Sequence, residues 1–395
     1  MPPGSRDPTA PEDAGARGAP HRDGDTGRPG SRRRRSEAAS DARSRPPGPR
    51  GASTKLRAVS RPDHGPGGRP FNVLIGSAGR RVVLARLFRD ALADLGLPGE
   101  VAACEASPLS AAYTEAPTRV LVPRCDDPEF VPALLAACID HEIHLLVPTI
   151  DTELPVLAEV REQFASVGTT LAVPGPRTVA IARDKSLTHR WLVGAGLPTV
   201  EQWAVTDAPD DPRHYPLIAK PRGGSSSVGV QRVATPDALA SLRDLDYVVE
   251  EIAPGNEHTV DIYVDRFGTL VTAVPRRRLE TRGGEVSKSL TVRHDGLVAL
   301  AARVAASLED AFGALNFQCF VDPDTGRLAI IELNARFGGG FPLSDAAGAH
   351  VPRWMIEDLA GLSSSASADF EDGLVMLRYD DAIFTTLDAL GPGAL

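Results

Sequence analysis

Between Phe71 and Pro148 the chain repeats one unit, a short apolar run followed by a helix-period segment, and this repetition limits the fold more than any other feature. Phe71-Asn-Val-Leu-Ile75 reads as a strand closed by Gly76-Ser-Ala-Gly79. The stripe of Leu84, Leu87, Phe88, Ala91, Leu92 and Leu95 predicts a helix over 82–95. Glu100–Cys104 and Arg119–Pro123 read as further strands, and a helix over 128–140 precedes a fourth, His144–Pro148. Strands alternating with helices build a parallel, doubly wound α/β sheet. Ligands of such sheets sit beyond the carboxyl ends of the strands. Gly76–Gly79 and Thr149-Ile-Asp-Thr-Glu153 occupy those ends. Gly76-Ser-Ala-Gly-Arg-Arg81 lacks the third glycine of a dinucleotide fingerprint and reads as a tight turn, with a small anion on Arg80, Arg81 and the helix N-terminus as the alternative.

Charge separates this body from what precedes it. Residues 1–69 hold 15 Lys+Arg, 8 Asp+Glu, 11 Pro and 11 Gly, with few apolar residues larger than Ala. Such a segment cannot offset its ordering entropy by burial, and it is expected to be a disordered extension without a secretory core. The whole chain carries a net charge of −9, so the remainder carries −16, the difference between −9 and the +7 of the extension. An acidic body argues against nucleic acid as the partner. No apolar run approaches a membrane span, and four scattered cysteines without a CxxC pair suit a reducing, cytoplasmic setting.

The chemistry-bearing residues lie between Lys185 and Arg336. An apolar strand ending in Lys220 is followed by a loop of Gly223, Gly224, Ser225, Ser226 and Ser227. Glycines let backbone amides close over phosphates, hydroxyls add donors, and a lysine supplies a point charge. In Glu250-Glu-Ile-Ala-Pro-Gly-Asn-Glu257 a Pro-Gly turn separates two strands. Its backbone can read an adenine edge and Glu257 can take ribose hydroxyls, although alone the segment also reads as a solvated hairpin. In Leu315–Arg336 a turn over 322–326 makes Gln318 and Glu332 cross-strand neighbours, and Asn334 shares the face of Glu332. Glu332 interrupts an apolar run, where an unpaired carboxylate is costly, and hard oxygen donors on one face suit Mg²⁺.

Taken in order, Lys185, Lys220 with its Gly/Ser loop, Glu250–Glu257, Gln318 and Ile331-Glu-Leu-Asn-Ala-Arg-Phe-Gly-Gly339 resemble the ATP-grasp superfamily, in the branch of the carbamoyl-phosphate synthase large chain. The resemblance covers about residues 70–385. It implies an N-terminal α/β domain over 70–175 and a two-subdomain α+β grasp fold over 176–250 and 251–365, with a C-terminal strand and tail over 366–395. It implies ATP with Mg²⁺, or Mn²⁺ in its place. Lys185 and Lys220 would hold phosphates under the Gly223–Ser227 loop. Glu250, Glu251, Ile252 and Ala253 would read adenine, and Glu257 would hold ribose. Gln318, Glu332 and Asn334 would bind metal, and Arg336 would touch the transferred phosphoryl group. Gln318 is a departure, because many members carry an acid there, and Ala335 stands where proline is common. The implied activity is a carboxylate–amine ligase releasing ADP and phosphate. A carboxyphosphate or carbamate kinase and a catalytically silent nucleotide-binding module are the alternatives.

Arg276-Arg-Arg-Leu-Glu-Thr-Arg282 and the segment to Ser289 are basic within an acidic body. Arg277, Arg278 or Arg282 is expected to pair with a substrate carboxylate, and Glu285 and Lys288 to orient the amine. The expected partners are a small carboxylate and a small amine, with no nucleic acid and no membrane; a homodimer is left open.

Overall fold

The computed structural model describes residues 70–224 and 228–391. Ser225, Ser226, Ser227 and the expected extension over 1–69 lie outside the described residues. Three sheets organise the rest. The first contains β1 (Asn72–Gly76), β2 (Val101–Glu105), β3 (Arg119–Leu121), β4 (Ile143–Pro148) and β5 (Thr170–Leu171). All pairs are parallel and the spatial order is 3-2-1-4-5. Leu74 and Leu146 face one core, while Val73, Ile75, Leu145 and Val147 face the other. Burial on both faces is why β1 and β4 read as unbroken apolar runs. The order reverses between β1 and β4, so the loops leaving these strands open a crevice.

The second sheet contains β6 (Gln202–Ala204), β7 (Leu217–Pro221), β8 (Gln231–Val233) and β9 (Tyr247–Glu251), antiparallel in the order 6-9-7-8. It has its own small core of Leu217, Ala219, Val233, Leu239 and Val249.

The third contains β10 (Asn256–Val264), β11 (Leu270–Arg282), β12 (Glu285–Thr291), β13 (Gly313–Val321), β14 (Leu328–Asn334) and β15 (Val375–Leu377), in the order 14-13-10-11-12-15. Its two faces differ, as strand alternation requires. Val260, Ile262, Phe317 and Cys319 share a core with Leu297, Leu300 and Val304 of the helix Asp295–Ser307. The opposite face is polar and carries the candidate site.

The hairpin reading is corrected. Glu250–Glu257 is not a hairpin: β9 belongs to the four-stranded sheet and β10 to the six-stranded one, so Pro254-Gly255 carries the chain between sheets. Gly255 has φ +93°, and a Cβ there would overlap the Val321 carbonyl. Beyond the site, two helices, Phe341–Ala346 and Val351–Leu359, are separated at Gly348 with φ 112°. Among the described residues no helix is long and apolar enough to cross a membrane.

Candidate active site

Antiparallel pairing sets the polar face out in rows. Glu332, Gln318, Thr259 and Arg276 lie side by side across β14, β13, β10 and β11. Asn334, Asn316 and Asp261 form the next row. Glu257 lies on the other side of the first row, where its carboxylate meets Arg278 Nη1 at 3.0 Å. One irregularity matters: Gln318 pairs with Glu332 and Cys319 with Ile330, leaving Ile331 as an unpaired bulge residue. Bulges re-aim side chains next to sites. Here Ile331 and its neighbour Glu332 both line the same cleft, and the Ile331 carbonyl accepts from Lys220 Nζ at 3.4 Å.

That cleft, about 290 Å³, runs between the four-stranded and six-stranded sheets. Ile218, Val230, Phe320 and Ile331 form apolar walls, and Lys185, Lys220, Glu250, Glu257, Gln318 and Glu332 supply charge and polarity. Ile252 and Ala253 also line it, and their backbone amides make no hydrogen bond among the described residues. Glu251 lines it too, with its side chain paired to Arg327. Lys220 Nζ meets Glu250 Oε2 at 2.6 Å, both buried, while Gln202 Nε2 donates to Glu250 Oε1 at 2.8 Å.

Lys185 opens the helix Lys185–Gly194, which Asp184 caps by accepting from the amides of Ser186 and Leu187. Arg222, just past β7, binds the same Asp184 carboxylate, and the Lys185 amide donates to the Arg222 carbonyl. Helix start and glycine loop are thus one unit, and Lys185 Nζ donates to the Gly224 carbonyl at 3.0 Å. Burial lowers the Lys185 pKa, Glu332 opposes that shift, and Lys220 adds to it. Burial likewise pushes the Glu257 carboxyl up, against the pull of Arg278.

Glu332 and Gln318 also line a second pocket of about 90 Å³, with Arg81, Arg276, Arg278, Glu285, Asn316, Asn334, Arg336 and Gly338–Gly340. The two pockets therefore share a wall made of the expected metal residues. The Glu332 side chain makes no hydrogen bond and no ion pair among the described residues, and Lys185 acts on it at longer range. A carboxylate lining one pocket with Gln318 and Asn334, whose Oδ1 also accepts from Arg336 Nη2 at 3.4 Å, is a donor set that fits Mg²⁺ or Mn²⁺.

Arg336 grips Asp151 with two hydrogen bonds, Nε to Oδ1 at 2.9 Å and Nη2 to Oδ2 at 2.6 Å. Asp151 follows β4, so the crevice of the parallel sheet faces the polar face of the six-stranded sheet. Arg276, 1% exposed, forms the matching pair with Asp261, and the Ser344 hydroxyl donates to that carboxylate.

Alternation corrects the basic stretch of β11. Arg276 and Arg278 face the pocket, while Arg277 points the other way and donates to Asn256 Oδ1 at the surface. Arg282 pairs with Asp380 in solvent, and Lys288 with Glu280. None of these last three lines either pocket. Of the stretch, the structure brings Arg278 and Glu285 to the site, together with Arg276, which composition alone did not separate from its neighbours.

The turn after β1 is closed by the chain's own carboxylates. Glu105 accepts from the Gly79 amide and the Ser110 hydroxyl, and Glu153 accepts from the Thr149 and Ile150 amides and the Ser77 hydroxyl. Within the turn, Glu105 takes the Gly79 amide and Glu153 the Ser77 hydroxyl, donors that a phosphate at this turn would compete for. Burial pushes the Glu153 carboxyl up to about 7, against those hydrogen bonds. A folded-state pKa above the unfolded value means the native state binds the extra proton between them. Stability from Glu153 is complete below about pH 4.5 and is lost as the pH rises through about 7. The loss is on the order of 3 kcal/mol. Urea unfolding of wild type is expected to show this decline from pH 5 to 8, and Glu153→Gln is expected to flatten it.

Comparison with known proteins agrees with this architecture. Residues 73–172 match the family described as PylC-like, N-terminal domain, and residues 243–382 match ATP-grasp in the biosynthetic pathway with Ter operon. A D-alanine–D-alanine ligase of Granulibacter bethesdensis is 30% identical over 185 residues, 42% of this chain and 60% of that protein. A carbamoyl phosphate synthase large chain of Thermotoga neapolitana is 24% identical over 229 residues, 51% of this chain and 21% of that protein. The chain spans 32 to 60% of the length of the D-alanine–D-alanine ligases it matches. N5-carboxyaminoimidazole synthetase from Staphylococcus aureus, complexed with ADP, superposes with a TM-score of 0.61 at 16% identity, covering 79% of this chain and 83% of that one. Residues 243–382 thus match an ATP-grasp family, and the fold, a parallel-sheet domain ahead of two antiparallel sheets, is similar to that of the solved neighbour.

Proposed function

We propose that the protein is an ATP-dependent carboxylate–amine ligase acting on small molecules. The observation that carries this reading is the wall of Gln318 and Glu332 shared by two pockets, one lysine-rich and one arginine-rich. The larger cleft suits ATP: its apolar walls accept the base, the free amides of Ile252 and Ala253 read the base edge, and Glu257 accepts from ribose hydroxyls. Lys185 and Lys220 face the phosphates from the base of the Gly223–Gly224 loop. Gln318, Glu332 and Asn334 would hold Mg²⁺, which when bound neutralises phosphate charge.

In the arginine pocket a substrate carboxylate oxygen attacks the γ-phosphorus. The bond to the β-phosphate oxygen breaks, giving an acyl phosphate and ADP. The amine nitrogen then attacks the acyl carbon, the carbon–oxygen bond to phosphate breaks, and phosphate leaves with the proton that nitrogen loses. Arg336, fixed by Asp151, and Arg278, fixed by Glu257, stabilise the charge that develops on the transferring group without rearranging. The neighbours described as D-alanine–D-alanine ligase and N5-carboxyaminoimidazole synthetase support this class of chemistry.

The test is phosphate release from Mg-ATP by the full chain, against carboxylates and amines singly and in pairs. Release requiring one carboxylate and one amine supports the ligase. Release with bicarbonate alone supports carboxyphosphate chemistry, which the small volume of the pocket would also accept. Tight Mg-ATP binding without release under any condition supports a silent nucleotide-binding module.

A further inference from the structure

Every guanidinium around the arginine pocket but one is matched by a carboxylate of the chain itself. Arg276 pairs with Asp261, Arg278 with Glu257 and Arg336 with Asp151. Glu285 on the rim is matched by Arg80 and Arg378. Arg81 lines the same pocket, and its guanidinium makes no hydrogen bond and no ion pair among the described residues. Burial lowers its pKa, Arg336 lowers it further, and Glu285 opposes both. Glu285 and Asp151 act on Arg81 at longer range, with Arg81 the strongest of the cations acting on Glu285, but neither carboxylate bonds the guanidinium directly, and a guanidinium drawn from water without a bonded anion is costly.

The surroundings are shaped for this charge. A Cβ on Gly339 would stand 2.9 Å from Arg81 Nη1, so the guanidinium lies directly against this glycine and would have to shift to admit a side chain there. Arg276 Nη1, on a fully buried side chain, has no hydrogen-bond partner, and a Cβ on Gly340 would overlap it. The pocket therefore has two ends. Gln318 and Glu332 mark the end shared with the nucleotide cleft. Arg81 and Glu285 mark the other, where Arg81 interacts with Glu285, Arg336, Arg378 and Asp151.

We propose that Arg81 is a specificity residue that holds a second anionic group of the substrates, separate from the carboxylate activated beside Glu332. This rests on the ligase reading of the pocket. The second group is a carboxylate or phosphate, carried either by the activated molecule, which is then a short dicarboxylate or phosphorylated carboxylate, or by the amine, which is then an amino acid.

The test pairs substrates with variants. Wild type, Arg81→Gln and Arg81→Lys are assayed for phosphate release with three- to six-carbon dicarboxylates and phosphorylated carboxylates plus a neutral amine, and with monocarboxylates plus α-amino acids. Independently of turnover, titration calorimetry measures binding of the same dicarboxylates, phosphorylated carboxylates and amino acids. The Gln variant is expected to raise KM for the anion-bearing substrate by about 10- to 100-fold, the worth of a charged hydrogen bond, with a smaller change in kcat. Lys is expected to restore part of it. Deleting the anion from the substrate should reproduce the loss in wild type and add nothing in the Gln variant. Which set is active assigns the anion to the activated molecule or to the amine. Turnover of substrates with one carboxylate between them, at a KM unchanged by Arg81→Gln, overturns the inference and leaves the ligase reading standing. If nothing turns over, Arg81-dependent binding by calorimetry sustains the anion site while the ligase reading fails. Binding identical in wild type and the Gln variant, or no binding, overturns the site.

Discussion

Glu332→Gln is expected to lower Mg-ATP-dependent phosphate release by about 10³-fold or more, the scale set by removing a principal electrostatic contributor to a phosphoryl-transfer site. Glu332 is the one carboxylate on the wall common to both pockets, and among the described residues no hydrogen bond or ion pair occupies it, Lys185 acting on it only at longer range. Its neighbour on that wall, Gln318, and Asn334 in the next row are neutral amides, so neither can take its place as an acid. Gln keeps the shape and the pairing with Gln318, so the fold is expected to persist. The checks are phosphate release, a metal titration by calorimetry and a thermal melt. Activity within about tenfold of wild type would remove Glu332 from the centre of the site.

Asp261→Ala is expected to destabilise the fold by about 3–5 kcal/mol, the cost of leaving a buried charge without its partner. Asp261 accepts two hydrogen bonds from Arg276 and one from Ser344, and all three residues are buried. Removing the carboxylate strands the Arg276 guanidinium beneath Gly340 with nothing to accept its protons. The effect should read as a lower urea midpoint at unchanged slope. The paired replacement Asp261→Leu with Arg276→Met removes both charges and is expected to recover most of the loss. A single-variant loss below about 1 kcal/mol would show that water reaches the pair.

The parts of this site that depend on local pattern were readable from residues alone. Glu332 stood out as a lone acid in an apolar strand, and the turn over 322–326 placed it opposite Gln318, as the pairing shows. Asp261 carries the same mark, an acid between Val260 and Ile262, and that cue would have led to Arg276. Separating Arg276 and Arg278 from Arg277 needed the register of β11 against β10, which pairing across the sheet decides and composition does not. The bulge at Ile331 is equally invisible in sequence, because it comes from a mismatch between two strands. The passage of Pro254-Gly255 between sheets looked like a hairpin, because a tight turn fits both and only the partners of β9 and β10 differ. Arg81 and Asp151 lie far from the grasp motifs along the chain, so their arrival at the site follows from packing the parallel sheet against the polar face.

The central claim is that the arginine pocket activates a carboxylate by phosphorylation, and oxygen tracing tests it most directly. A turnover-supporting carboxylate labelled with ¹⁸O in both oxygens would be incubated with Mg-ATP, the amine and the full chain, and the released phosphate analysed by mass. Attack of the carboxylate on the γ-phosphorus transfers one labelled oxygen to phosphate in each turnover, and that is the result the account predicts. Phosphate released without label, while product forms, would mean that no acyl phosphate is made and would contradict the account.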